Sequence, residues 1–454
     1  MIHLLTASTL YQVASLAAMV DAGTLRTDGG ERILVLANGS QQPELTARIQ
    51  DSAGFERLAR RFDRVVDLAE LLWPRRPQQF SPRNEELYLW ERLLRSHWGL
   101  GTEPVALVVD TIQVNPAIAL SRIFHDAPLT VHSDGLMAYG PTRNRVPTPL
   151  RQRLDAVAYF DIVPGLRPVL LNEVGPELVP APRQALADVF RELAAAAVPS
   201  EDLAAAQASG RPCALVLGQY LADLRVLAED EEVELHRGML AAARERGAEL
   251  VLFKPHPSAS NGSTNALFGV AAGLGIELTV VRDNVSAETV ALWVEPLVVV
   301  SCFSTALVTL KYLFGTDCVA VGTELLLERL QPYQNSNRIP VTLIDALLVR
   351  GMPAPSEAGP RADRLQDLVD SVAYCMQSGR LPDLRSTAES FLQDHGDRFP
   401  RYFKRRRLTA LGLPGQATAA SWRRQAGRVR RRARRVLGGR LDPLRRAWKA
   451  RTRG

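Results

Sequence analysis

Three short clusters carry the residues best suited to chemistry. In His132-Ser133-Asp134-Gly135 a carboxylate follows the apolar stretch Ala127 to Val131. Held at a strand end it can take a proton from a hydroxyl, and a plain Asp-Gly turn explains it structurally. In Lys254-Pro255-His256-Pro257 two prolines bracket a histidine directly after the apolar run Leu250 to Phe253. Proline restricts its own backbone and that of the residue before it, so the direction of the ring is largely preset. An imidazole beside a lysine suits a developing phosphate charge, through a hydrogen bond or a proton; a capped loop histidine is the structural alternative. In Ser301-Cys302-Phe303-Ser304-Thr305 two hydroxyls stand where a strand gives way to a helix running to about Leu313. Ser304 fits a helix cap, and the same helix start, with its free N–H groups, fits a phosphate. A weaker signal is Gly218-Gln219 after the run Cys213 to Leu217, where a nucleotide could come close to the backbone.

The patterns that are missing narrow the chemistry. His132, His236 and His256 match no HExxH spacing, and the chain holds no GxSxG elbow, Walker A loop or GxGxxG fingerprint. No tightly held metal and no serine-hydrolase activity are expected. Cys213, Cys302, Cys318 and Cys375 lie far apart with no CxxC, which fits a reducing compartment and not a disulfide scaffold or zinc module.

Strands must hold these clusters, and the apolar runs predict where they lie. Ile2 to Thr6, Arg32 to Ala37, Arg64 to Leu68 and Val105 to Asp110 are each followed by a helix-like segment. A second set follows: Cys213 to Leu217, Glu249 to Lys254, Ile276 to Val281, Leu297 to Val300 and Cys318 to Val321. In Glu229 to Arg246, Val233, His236, Met239, Leu240 and Ala243 fall at helical steps. Such alternation is the sequence form of βα units around a parallel sheet. From Pro180 to Pro212 the chain turns Ala- and Pro-rich, marking a boundary. The expected fold is α/β with two doubly wound, Rossmann-like domains facing a cleft, where ligands collect beyond the carboxyl ends of the strands. The expected spans are 1–195, 205–380, a helical segment 381–400 and a basic helical tail 401–454.

With 454 residues, 46% of them hydrophobic and 23% charged, the chain has the composition of a folded globular protein of two or three domains. MIHLLTASTLYQVASLAAMV lacks a basic leader and is broken by polar residues, so it reads as a first strand and helix. The run from Pro296 to Phe314 contains Lys311 and several hydroxyls and falls short of a membrane span. The net charge of +6 divides unevenly: residues 401–454 hold 19 Lys or Arg and one acid, for +18, leaving 36 basic and 48 acidic residues, for −12, elsewhere. KRRR at 404–407 and RVRRRARR at 428–435 are interleaved with Trp422, Trp448 and several leucines and valines. That pattern points to an anionic membrane surface ahead of nucleic acid, with a solvated tail as the alternative. Arg outnumbers Lys by 51 to 4, so a lysine at a strand end, such as Lys254, draws interest.

Gln113-Val114-Asn115-Pro116, Ser133-Asp134-Gly135 with Tyr139-Gly140-Pro141, His256-Pro257 and Ser304-Thr305 follow one another in that order. In this the chain resembles the bacterial sialyltransferases, and within them the bacterial α-2,8-polysialyltransferase family, over roughly residues 1–380. The resemblance implies a GT-B architecture and metal-independent, inverting transfer of sialic acid or a related nonulosonic acid from a CMP-activated donor to a surface or capsular glycan or glycolipid, with no cofactor. It implies Asp134 as base and His256 as helper of the departing CMP phosphate. Ser304 and Thr305 would hold that phosphate and Lys254 add charge, with Pro257, Gly218 and Gln219 also on the donor side. Ser133, Gly135 and Tyr139 would face the acceptor. The family pattern has two acids before the glycine, and here Ser133 takes the first place. The expected location is cytoplasmic, peripheral at the inner face of the membrane. A GT-B enzyme with another nucleotide donor, of teichoic-acid-polymerase or UDP-sugar type, stays open. So does a non-catalytic α/β protein binding nucleic acid or acidic partners through its tail.

Overall fold

The computed structural model describes residues 1–27, 29–38, 48–256, 261–357 and 364–415. Among the described residues twelve strands form two sheets. The first contains β1 (Ile2–Ala7), β2 (Glu31–Leu36), β3 (Arg64–Asp67), β4 (Val105–Val109), β5 (Leu129–Ser133), β6 (Leu154–Phe160) and β7 (Glu177–Ala181), in the order β3-β2-β1-β4-β5-β6-β7. The second contains β8 (Cys213–Leu217), β9 (Leu250–Lys254), β10 (Glu277–Val280), β11 (Val298–Ser301) and β12 (Cys318–Ala320), in the order β10-β9-β8-β11-β12. Every pairing is parallel. Helices cover both faces of such sheets, so the central strands are apolar on both sides, as the fully buried β1, β4 and β8 are. In each sheet the strand order reverses beside the first strand, between β1 and β4 and between β8 and β11, which opens a crevice at the carboxyl ends. These are two Rossmann-like, doubly wound lobes, as expected for a GT-B architecture.

Two strands escaped the sequence reading. β6 is a short apolar run, whereas β7 lies at the sheet edge with most of its side chains exposed and runs into the Pro-rich stretch. Pro180 sits in β7 because an edge strand tolerates a missing N–H. The boundary region is otherwise helical. Helix Arg183–Ala196 buries Leu186, Val189, Phe190 and Leu193 between helix Leu10–Asp21 of the first lobe and helix Ala287–Val294 of the second. Trp293 Nε1 donates to its Ala194 carbonyl at 2.8 Å, so one strut braces both lobes.

After β12 the chain returns to the first lobe. Arg167 N–H donates to Gln366 Oε1 at 2.8 Å, and Arg380 donates to the Thr142 carbonyl at 3.1 Å. The opening of the expected tail is packed as well. Tyr402, Phe403, Leu408 and Leu413 are buried, and buried Asp345 accepts from Thr323, Arg401 and the Tyr402 hydroxyl at 2.6, 2.9 and 2.6 Å. The basic span beyond this network, 416–454, lies outside the described residues. Among the described residues no helix is long and apolar enough to cross a membrane.

Candidate active site

A cavity of about 470 Å³ lies where the two crevices face each other. The first lobe contributes Tyr11, Asp134 and Gly135; the second contributes Gly218, Gln219, Tyr220, Lys254, His256, Glu288, Ser304 and Thr305. The strand-end clusters, separated by up to 170 residues of sequence, thus line one space.

The helix start at Thr305 is built as expected. Ser304 is extended (φ −68°, ψ 135°) and its hydroxyl accepts from Ala306 N–H at 3.3 Å, while Gly315 at φ 69° ends the helix Thr305–Phe314. Thr305 also meets the opposite lobe: a Cβ added to Gly135 would stand 3.2 Å from Thr305 Cγ2 and 3.4 Å from its Oγ1. Glycine is what lets the end of β5 approach the phosphate-binding type of helix start this closely. Gly135→Val is expected to push the lobes apart and lower turnover by about 10- to 100-fold, since a misplacement near 1 Å costs that order. The melting temperature should barely move, because the clash falls at the cleft and not in a core. Equal loss of turnover and stability would contradict this.

Gly218 is required for a different reason. An added Cβ would lie 2.7 Å from the Phe253 ring, and the Gly218 N–H donates to the Lys254 carbonyl at 2.9 Å. Next to it, Gln219 N–H donates to His236 Nε2 at 3.1 Å, and its amide donates to Ser301 Oγ at 3.0 Å. Burial lowers the His236 pKa to about 4, so the ring stays neutral and can accept. This turn is fixed before any ligand arrives.

His256 lies against the Tyr220 ring, with centroids 4.0 Å apart and planes 24° from parallel. Burial pulls its pKa down to about 4, so it is neutral at neutral pH and offers one N–H, not a ready proton. Lys254 Nζ donates to the Asp283 carbonyl at 3.1 Å; burial lowers its pKa, partly offset by the charges of Asp283 and Glu288. Glu288 is buried in the first turn of helix Ala287–Val294, and burial raises its pKa to about 7 against the pull of its own N–H, Ser286 and Lys254. The sequence reading missed Tyr220 and Glu288. An acid two residues after a capping serine reads as helix-start electrostatics, whereas Tyr220 directly follows Gly218-Gln219 and its position there was the available signal.

Three expected site residues are not part of the lining. Ser133 is the buried last residue of β5. Tyr139 is a correction: it is fully buried in the core at the end of the short turn Leu136–Tyr139 and does not reach the cleft. Its position three residues beyond Leu136 turns its ring into the same core. Pro257 lies outside the described residues. Among the described residues no group of three or more His, Cys, Asp or Glu is placed to hold a metal ion.

Two Rossmann-like lobes facing one cleft, with a carboxylate on one wall and a capped helix start, a lysine and an imidazole on the other, have the GT-B fold, and the family match makes the chain a glycosyltransferase. The particular family is set by sequence: the profile of the family described as Alpha-2,8-polysialyltransferase (POLYST) matches residues 3–323, and the chain belongs to that family. No curated protein matches it. Among solved structures it is similar to the GT-B domain of a sialyltransferase from Photobacterium damselae, at 10% identity and TM-score 0.42, over 76% of this chain and 96% of that one. It is also similar to a glycosyltransferase from Rickettsia africae, at 11% identity and TM-score 0.39, over 85% of this chain and 98% of that one. MurG of Acinetobacter baumannii follows at 12% identity and TM-score 0.38, covering 86% and 95%. The fold assignment rests on the two sheets themselves.

Proposed function

We propose that this enzyme moves sialic acid, or a related nonulosonic acid, with inversion and without a metal, from a CMP-activated donor to a surface or capsular glycan. The observation that carries the proposal is the meeting of Asp134 and Gly135 with His256, Ser304 and Thr305 in one cleft of a chain that belongs to this family. Asp134 takes the acceptor proton. The Ser304 and Thr305 hydroxyls and the helix N–H groups hold the CMP phosphate, Lys254 adds positive charge, and His256 donates a hydrogen bond as the phosphate leaves. Gly218 and Gln219 shape the nucleotide side, and Gly135 forms the acceptor side. In this division residues 1–195 bind the acceptor and 205–380 the donor. The span 416–454, with 14 Lys or Arg against Asp442, docks on an anionic inner leaflet.

Titration of the full chain with CMP, CDP and UDP tests the donor. CMP is expected to bind at least about tenfold tighter than UDP, and the double change Ser304→Ala, Thr305→Ala to weaken it about tenfold, the loss of one to two charge-assisted hydrogen bonds. UDP binding tighter than CMP would move the assignment to a UDP-sugar enzyme. For the tail, a chain ending at residue 415, which keeps Tyr402 and Leu413 in place, is expected to lose sedimentation with phosphatidylglycerol vesicles. Retained sedimentation would exclude the tail as the anchor.

A further inference from the structure

Exposed apolar side chains of the first lobe gather on one flank. Helix Leu87–His97 buries Leu94 and half-buries Leu87 and Trp90 in a core of that lobe, and turns Leu89 and Leu93 outward, 66% and 39% exposed. Leu71, from helix Leu68–Leu72, joins them around an open hollow whose remaining lining is Arg92, Ser96 and His97. Two residues past Leu71 stands Trp73, 66% exposed, on the rim of a cavity that also touches Leu36 and Asp67, the last residues of β2 and β3. That rim holds Arg48, Arg75 and Arg76 against Asp67 and Glu70. Among the described residues no acid pairs with Arg75, Arg76 or Arg92, whereas Glu91 of the same helix is held by Arg95 at 2.9 Å. Leucines and a tryptophan ringed by unpaired guanidinium groups suit an anionic lipid surface. The apolar tips enter the acyl boundary, tryptophan rests at the interface and arginine reaches the headgroups.

The start of the basic span lies on the same lobe. Arg407, in the last described helix, donates to the Cys375 carbonyl at 2.6 Å, and Gln377, two residues on, donates through its side-chain amide to the Arg143 carbonyl at 3.2 Å. Val146 and Leu150, just after Arg143, share one core with Leu72 and Leu94. The chain beyond residue 415 thus leaves the body beside the first lobe. Stable anchoring takes two signals, and a polybasic segment attached at one point sets no orientation. We propose that helix Leu87–His97, with Leu71 and Trp73, is a second membrane contact, which meets an anionic bilayer and sets how the enzyme lies on it. This rests on the reading that residues 416–454 bring the chain to that bilayer. The tail supplies most of the affinity, and the flank supplies the orientation. Trp73 stands at the carboxyl edge of the first sheet, the edge that also carries Asp134, so a tryptophan among the headgroups turns the cleft toward a lipid-linked acceptor.

The four native cysteines are buried, so a single introduced thiol can carry an environment-sensitive fluorophore. The label goes on full-length Leu89→Cys and, as control, on Ala205→Cys, at an exposed position of helix Glu201–Ala208, which packs on helix Ala287–Val294 of the second lobe. With phosphatidylglycerol vesicles the emission at 89 is expected to shift to the blue and that at 205 to stay as in buffer. The double change Leu89→Ser, Leu93→Ser is expected to weaken vesicle binding about tenfold and leave CMP binding unchanged, since both leucines lie outside the cleft. Sedimentation with the vesicles while the label at 89 stays in water would overturn this inference and leave the tail reading standing. A chain ending at residue 415 that still sediments, with the label at 89 shifted, would overturn the tail reading and keep the flank as the contact. No sedimentation by the full chain would overturn both. A blue shift at 89 that grows with protein concentration, without vesicles, would make a second copy of the chain the occupant and overturn the membrane contact.

Discussion

If the proposed donor and base are right, Asp134→Asn is expected to lower CMP release from CMP-sialic acid by about 10³-fold, within the range a general base contributes. Asparagine keeps the shape of the side chain and removes its ability to accept a proton. Asp134 lines the cavity from the first lobe, whereas the groups placed to meet the nucleotide, Lys254, His256, Ser304 and Thr305, all belong to the second. CMP affinity in the variant therefore stays within about twofold of wild type, since distant sites act additively. The result is a loss in kcat with donor binding intact, which separates a base from a residue that shapes the site. Release above a tenth of wild type would remove Asp134 from the chemistry.

The central parallel strands could be read from sequence because they are buried on both faces. Cys213–Leu217 is fully buried along its length, and its apolar run shows in the sequence without gaps. β7 could not be read that way: at the edge it buries little, and its Pro180 argued for a linker. Asp134, His256 and Ser304 were legible because each stands directly after an apolar run, where a doubly wound sheet presents side chains to a crevice. Glu288 and Tyr220 become visible only in the folded second lobe, which brings them beside Lys254 and His256 from another strand end. Tyr139 shows the converse. Its place in a motif suggested the cleft, whereas the turn Leu136–Tyr139 spends that ring on the core. The tail was legible as charge but not as packing: Tyr402 and Leu413 are apolar residues scattered among arginines, and the buried Asp345 that receives Arg401 and Tyr402 lies 56 residues upstream of the first of them.

The second large effect concerns His256. His256→Ala is expected to lower kcat by about 100-fold or more, the usual loss when one donor to a developing oxyanion is removed, and to weaken CMP by a smaller factor. The pH dependence tells which chemistry the imidazole performs. A histidine that gave up a proton from its ordinary range would make kcat/KM fall as pH rises through about 6.5. Burial holds His256 neutral down to about pH 4 in the free enzyme, so no such fall is expected if, as proposed, its N–H alone serves the leaving phosphate. The same shift acts on stability. With the folded pKa below the unfolded value, the unfolded chain binds the proton first, so stability present above about pH 6.5 is lost as pH falls toward 4. His236 acts in the same direction. The melting temperature of wild type should thus drop across that window, and His256→Gln, which cannot titrate, should flatten part of the drop. A base limb near pH 6.5 that vanishes in His256→Gln would instead make the residue a proton donor, charged in the free enzyme despite its burial.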